Sequence, residues 1–87
     1  MEKQYIETTK YGTHYYSDEA MTVLHREDGP AVEDTDGHKE WYINGKRHRE
    51  GGPALEWNNG DKEWYIHGTL MKSCISWRCQ TLKGTLV

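Results

Sequence analysis

The chain has 87 residues, 14 acidic and 11 basic side chains and a formal net charge of −3. That length allows one small domain near the lower limit for a single hydrophobic core. Twelve Leu, Ile and Val with no Phe would read as disorder. However, the low net charge, four Trp and six Tyr, each aromatic able to bury roughly 150–250 Å², predict instead a folded domain whose core is made of Trp and Tyr bodies.

The opening stretch, MEKQYIETTK, lacks the apolar segment of a secretory signal. No run in the chain approaches the roughly 20 apolar residues of a membrane span. Both features predict a cytoplasmic protein with no membrane partner. Residues 11–24 read as a worn half-unit, in which Gly12 followed by Tyr15-Tyr16 imitates a pattern that then appears twice in full. Residues 1–24 are therefore expected to act as an N-terminal cap.

Residues 25–47 (HREDGPAVEDTDGHKEWYINGKR) and 48–70 (HREGGPALEWNNGDKEWYIHGTL) are the same unit, identical at 14 of 23 positions. A fixed period of this length means stacked supersecondary units sharing one core. Gly-Pro-Ala, at 29–31 and 52–54, should mark strand entrances, because proline has no N–H for a ladder. Asp36-Gly37, Asn44-Gly45, Asn59-Gly60 and His67-Gly68 fall at hairpin-turn positions; Asn-Gly and Asp-Gly favour type I′ turns. KEWYI at 39–43 and 62–66 has strand composition. Period-2 geometry puts Trp41 and Ile43 on one face and Glu40 and Tyr42 on the other, with Trp64, Ile66, Glu63 and Tyr65 repeating the arrangement. The prediction is an all-β fold: an open antiparallel meander of stacked β-hairpins with N- and C-terminal caps.

Residues 71–87 do not match the unit and read as a basic C-terminal cap, strand or short helix, with Lys72, Arg78 and Lys83 and no acid. The preceding 70 residues hold all 14 acids against 8 Lys and Arg. A basic tail fits docking onto this acidic body or a partner of mixed charge. The acidic body is a poor candidate for nucleic-acid backbone. In the cytoplasm Cys74 and Cys79 should be reduced thiols. Their Cys-x4-Cys spacing is not that of a zinc knuckle, and no metal or other cofactor is expected.

The unit H-R-x-x-G-P-A-x-x-x-x-x-x-G-x-K-E-W-Y-x-x-G resembles the variant MORN-like repeat of small tailed-phage proteins and some bacterial proteins, over residues 11–70. It departs from the standard MORN pattern, dominated by Tyr-x-Gly and repeated glycines, so the lipid-binding roles proposed for MORN proteins are not carried over. The resemblance implies stacked β-hairpins, non-enzymatic binding and a phage-like setting in a host cell cytoplasm. There, proteins of this size block host machinery, antiviral defence included.

Five sets of residues are candidates for binding. Arg26 and Arg49, each after a His and before a Glu, could clamp a phosphate or carboxylate; alternatively they satisfy carbonyls of the Gly-Pro turns and pair with a neighbouring unit's acid. Tyr42 and Tyr65 should form one column and Trp41 and Trp64 another. The Trp column is expected in the core and the Tyr column is open to either exposure or cover. Trp57, standing where the first copy has Asp34, breaks the repeat. His67, replacing Asn44, does so too. Trp77 and Arg78 complete the set in the tail. No nucleophile–base order or phosphate loop supports catalysis. The leading expectation is a binding protein that occludes a host protein; the alternatives are a sponge for an anionic nucleotide signal and a structural interaction repeat. The two free edges of an open meander also invite homodimerisation.

Overall fold

The computed structural model describes residues 3–75 and 78–81; Trp77 lies outside them. The described chain is all-β. Ten strands run in chain order: β1 (Tyr5–Thr9), β2 (Gly12–Tyr16), β3 (Val32–Asp34), β4 (Lys39–Glu40), β5 (Tyr42–Ile43), β6 (Lys46–Arg47), β7 (Leu55–Glu56), β8 (Lys62–Ile66), β9 (Thr69–Ile75) and β10 (Arg78–Thr81). Eight form an open antiparallel sheet in the order β1-β2-β3-β4-β7-β8-β9-β10, with β1 and β10 at its edges, and β5 pairs with β6 separately.

The four turns divide into two kinds. Asn44 and Gly45 have φ of 50° and 80°, and His67 and Gly68 of 48° and 85°, so both central residues are left-handed, as a type I′ turn requires. At the other two turns only Gly37 and Gly60 have positive φ. The Gly37 N–H donates to Asp34 O and the Asp34 N–H to His38 O, an arrangement repeated at Trp57, Gly60 and Asp61. These are three-residue loops that end on a left-handed glycine, which corrects the type I′ expectation for Asp36-Gly37 and Asn59-Gly60.

KEWYI is one continuous strand in the second copy but is split at Trp41 in the first. The Trp41 N–H donates to Ala54 O across the large sheet, whereas its carbonyl accepts from His48 N in its own hairpin. The chain thus changes partners at Trp41. In the second copy the seven-residue β9 follows β8 through the same bend by means of a bulge. Trp64 pairs Lys72 and Tyr65 pairs Leu70, leaving Met71 as the extra residue. Equivalent bridges, Tyr16↔Leu24 and Tyr42↔Arg47, precede His25 and His48. These histidines donate their backbone N–H to Tyr15 O and Trp41 O. His25, His48 and Met71 are thus the same position, 23 residues apart. The period runs past residue 70, contrary to the sequence expectation, and the tail through Thr81 is a β-hairpin.

The buried apolar core is Ala31, Val32, Ala54 and Leu55, with His25 beside it. The prediction of a Trp and Tyr core is therefore corrected: Trp41 and Trp64 are half-buried, as are Tyr42 and Tyr65. The reason lies across the sheet. Ala31 and Ala54 each bond strands on both sides, Ala31 receiving Tyr15 N–H and giving its own to Glu40 O, and Ala54 serving Trp41 and Glu63 in the same way. Both alanines are fully buried there, and the large rings are half-buried. At the N-terminal end Asp18 accepts from Thr22 N and Val23 N, both at 2.9 Å, and from the Thr22 hydroxyl, closing the loop before the first full unit. Those bonds, the Thr22 hydroxyl first, hold the Asp18 carboxyl below the ordinary carboxylate range.

Cys74 and Cys79 form a disulfide, which corrects the expectation of reduced thiols. They stand directly opposite each other in the β9–β10 register. A directly opposed cross-strand pair brings the two sulfurs together, a geometry that Cys-x4-Cys spacing alone does not specify.

Candidate functional site

The residues after His25, His48 and Met71 set up one face of the protein. The cation that follows each comes down on an aromatic ring of the unit before. The Arg26 guanidinium lies 3.9 Å from the Tyr15 ring centre, that of Arg49 lies 3.9 Å from Trp41, and the Lys72 ammonium lies 4.8 Å from Trp64. Lys72 therefore occupies the arginine position of a third unit.

Both arginines are committed internally. Arg26 Nη1 donates to Pro30 O at 3.1 Å and its Nε to Asp28 at 3.1 Å, with Glu33 at 3.6 Å. Arg49 Nη1 donates to Pro53 O at 3.0 Å and pairs with Glu56 at 3.5 Å. The acids belong to the same unit as the arginine, and only the ring it stacks on belongs to the unit before. The glycine of each Gly-Pro serves this stack. Neither Gly29 nor Gly52 has a positive φ; a Cβ added there would meet the guanidinium carbon at 3.1 Å and 2.8 Å. These positions make room for arginine.

His25 and His48 serve the turns. Nδ1 of His25 accepts Asn44 N–H at 2.8 Å, and Nδ1 of His48 accepts His67 N–H at 2.9 Å. The rings of His48 and His67 stack at 4.3 Å. His67 thus sits in a type I′ turn against a structural histidine.

On the opposite face the tyrosines are tied down. Tyr42 OH donates to Glu40 at 2.7 Å and Tyr65 OH to Glu63 at 2.7 Å. Arg47 reaches both, 3.4 Å from Tyr65 OH and 3.6 Å from Glu40. Burial and these carboxylate bonds push both tyrosine hydroxyls above their ordinary pKa. Burial opposes the charge on Glu40, but hydrogen bonds from His38 and Tyr42 and the charge of Arg47 outweigh it and hold that carboxyl low. Trp57 packs against His38 on this face, ring centres 6.1 Å apart, and His38 in turn contacts Glu40 at 2.6 Å. Of the predicted binding residues, then, Tyr42 and Tyr65 share one network that Trp57 adjoins through His38. His67 lies in a turn, and Arg78 is exposed on the edge strand β10.

Arg78 lines a cleft with Ser73, Ile75, Cys79 and Gln80 at the β9–β10 hairpin, and two further clefts adjoin each other on the arginine face. Arg26, Asp28, Pro30, Trp41, Ile43 and His48 line a first cleft of about 610 Å³ that ends at Arg49 and Glu50. Arg49 and Glu50 also begin a second cleft of about 480 Å³, lined by Gly51, Gly52, Trp64, Ile66, Met71 and Lys72, with Thr81 closing it from β10. Apart from Thr81, each residue lining the second cleft is the counterpart, 23 residues on, of one lining the first. The two share a wall. They differ in chemistry, because Gly51 stands for Asp28 and Met71 for His48, so the second is the more apolar. Its Ile66 is 37% exposed. Sequence reading missed Ile66, Met71 and the Gly51 exchange. Extending the repeat register two residues past Leu70 would have found Met71 and Lys72. Comparison with protein-family models, with curated proteins and with solved structures returns no match.

Proposed function

We propose that the chain is a non-catalytic binding protein of the MORN-like type that occludes a surface of a partner protein, in the setting of a phage product blocking host machinery. The observation that carries this reading is the pair of adjoining clefts on one face, open to solvent and related by the 23-residue period. Repeat proteins bind through such continuous surfaces, built from equivalent positions of successive units. The aromatic floor and the exposed carboxylate rim fit a protein partner better than a phosphate. A nucleotide sponge would need Arg26 and Arg49 to leave their proline carbonyls, their carboxylates and their rings, with Glu27, Asp28 and Glu50 standing at the same cleft.

The test is affinity capture from bacterial lysate with the wild-type chain and with Ile66→Ser and Met71→Ser. The expected result is one stoichiometric partner retained by wild type and lost by both variants, whose far-ultraviolet circular dichroism stays native. Equal retention by all three, or no stoichiometric partner, refutes it.

A further inference from the structure

The chemistry of the two clefts defines a ligand class, an inference that rests on the binding reading above. Around the clefts stand three cations, Arg26, Arg49 and Lys72, each stacked on a ring. Five carboxylates stand with them. Glu33 and Glu56 are close to the arginines. Asp28, its side chain 86% exposed, is bonded to Arg26 Nε at 3.1 Å, and Glu27 and Glu50, 73% and 82% exposed, lie 3.4 Å and 3.5 Å from Nε2 of His25 and His48. Excess charge at the rim is therefore negative and accessible, while the positive charge is held inside the stacks. Coulombic attraction at this rim selects a cationic partner and acts chiefly at low ionic strength.

The second cleft adds an apolar requirement. Trp64, Ile66 and Met71 provide its floor and wall, and Gly51 leaves the entrance open, since a Cβ there would meet nothing within 4 Å. The bulge at Met71 frees that residue from pairing and turns its side chain to the cleft. Because Arg49 and Glu50 belong to both clefts, an occupant of the second lies directly beside the acids of the first.

We infer that this surface binds a basic, apolar-anchored peptide segment of a partner protein, with an aliphatic side chain seated among Trp64, Ile66 and Met71 and adjacent Lys or Arg side chains at Glu50, Glu27 and Asp28. The apolar anchor supplies affinity, since burying one aliphatic side chain is favourable by roughly 1.5–3 kcal/mol. The carboxylates supply selection of sign and direction along the groove.

The probe is a fluorescein-labelled heptapeptide of alternating lysine and leucine, with lysine–serine and glutamate–leucine peptides as controls, read by fluorescence anisotropy. The inference expects binding of the lysine–leucine peptide alone. Ile66→Ser or Met71→Ser should weaken it by about tenfold. Glu50→Gln should weaken it by about threefold and flatten its salt dependence. Glu19→Gln, an exposed acid that lines neither cleft, should leave it unchanged. Equal binding of the lysine–serine peptide, or equal loss with Glu19→Gln and Glu50→Gln, overturns the inference by showing diffuse charge attraction. Absence of any peptide binding also overturns it; if lysate capture still depends on Ile66, the binding reading survives with a different ligand class.

Discussion

Gly52→Ala offers a test in which the sign of the effect depends on another residue. At a position with ordinary φ, glycine to alanine stabilises a protein by about 0.4–1 kcal/mol by restricting the unfolded chain. Gly52 has no positive φ, so nothing in the backbone forbids the gain. Its added methyl would, however, approach the Arg49 guanidinium carbon to 2.8 Å, and ordinary contact begins near 3.4 Å. The guanidinium has no free retreat: it is stacked on Trp41 at 3.9 Å and bonded to Pro53 O at 3.0 Å. The stack contributes about 0.5–1 kcal/mol at this half-exposed site. The charged hydrogen bond contributes about 1.5 kcal/mol, and the Glu56 pair, screened by solvent, less than about 1 kcal/mol. Gly52→Ala should forfeit roughly half of that sum and destabilise the domain by about 1 kcal/mol after the unfolded-state gain is included. In the Arg49→Ala background the obstacle is gone, and the same substitution should stabilise by about 0.5 kcal/mol. Urea denaturation at 25 °C of the four proteins, followed by tryptophan fluorescence and circular dichroism, measures this cycle. If Gly52→Ala has the same sign in both backgrounds, the glycine does not exist to admit arginine. Gly29→Ala, with its 3.1 Å approach to Arg26, should follow the same rule with a smaller penalty.

Glu40 gives a pH test. Its folded carboxyl titrates below the ordinary value of 4.5, so the stability it confers is complete above that value and is lost as pH falls through the folded pKa. Glu40→Gln should therefore lie below wild type in stability at pH 7, with the gap closing in acid; a gap that stays constant from pH 7 to pH 3 would exclude a stabilising charge. Reducing the Cys74–Cys79 disulfide opens a six-residue loop, worth at most about 2 kcal/mol of chain entropy. Calorimetry with and without reductant should show a lower Tm, and Cys74→Ser should abolish the difference; a reductant effect that persists in Cys74→Ser would rule out this origin. At the first type I′ turn, Asn44→Gly should be within about 0.5 kcal/mol of wild type, because glycine accepts a φ of 50° freely. Asn44→Val, which places a β-branched side chain there, should cost about 1–2 kcal/mol by the same denaturation assay; equal stability of the two would contradict the turn assignment.

Much of the architecture was legible because its signals are local. Turn pairs, alternating faces and proline-marked strand entrances each reflect the φ preference or hydrogen-bonding capacity of one or two residues, and they predicted the open antiparallel sheet. The core was misread because burial depends on what approaches from across the sheet. Ala31 and Ala54 stand at strand entrances in sequence, yet each is hydrogen-bonded to strands on both sides and is fully buried. The split at Trp41 likewise depends on its carbonyl choosing His48 over a strand of the large sheet, a choice between long-range partners that KEWYI, identical in both copies, cannot express.

The distribution of identities and differences between the copies bears on function in a more particular way than their number does. His25/His48 and Arg26/Arg49 are identical because each histidine holds a turn of its own unit and each arginine a ring of the unit before, so repetition there reflects stacking. The exchanges Trp57 for Asp34 and His67 for Asn44 look functional by size and chemistry, yet one ring packs on His38 and the other on His48. Gly51 for Asp28 is an inconspicuous exchange in sequence, but it removes a carboxylate from the mouth of a cleft. Met71 in the place of His48 turns a ring that would accept a turn N–H into an apolar wall. In the cleft those two changes shape, Lys72 still caps Trp64, while Ile66 and Met71 form an apolar wall beside Glu50, with Thr81 of β10 at its edge. The carboxylates of the first cleft and the apolar wall of the second meet at the shared Arg49 and Glu50, which gives the pair of clefts a chemistry that neither copy of the unit has alone.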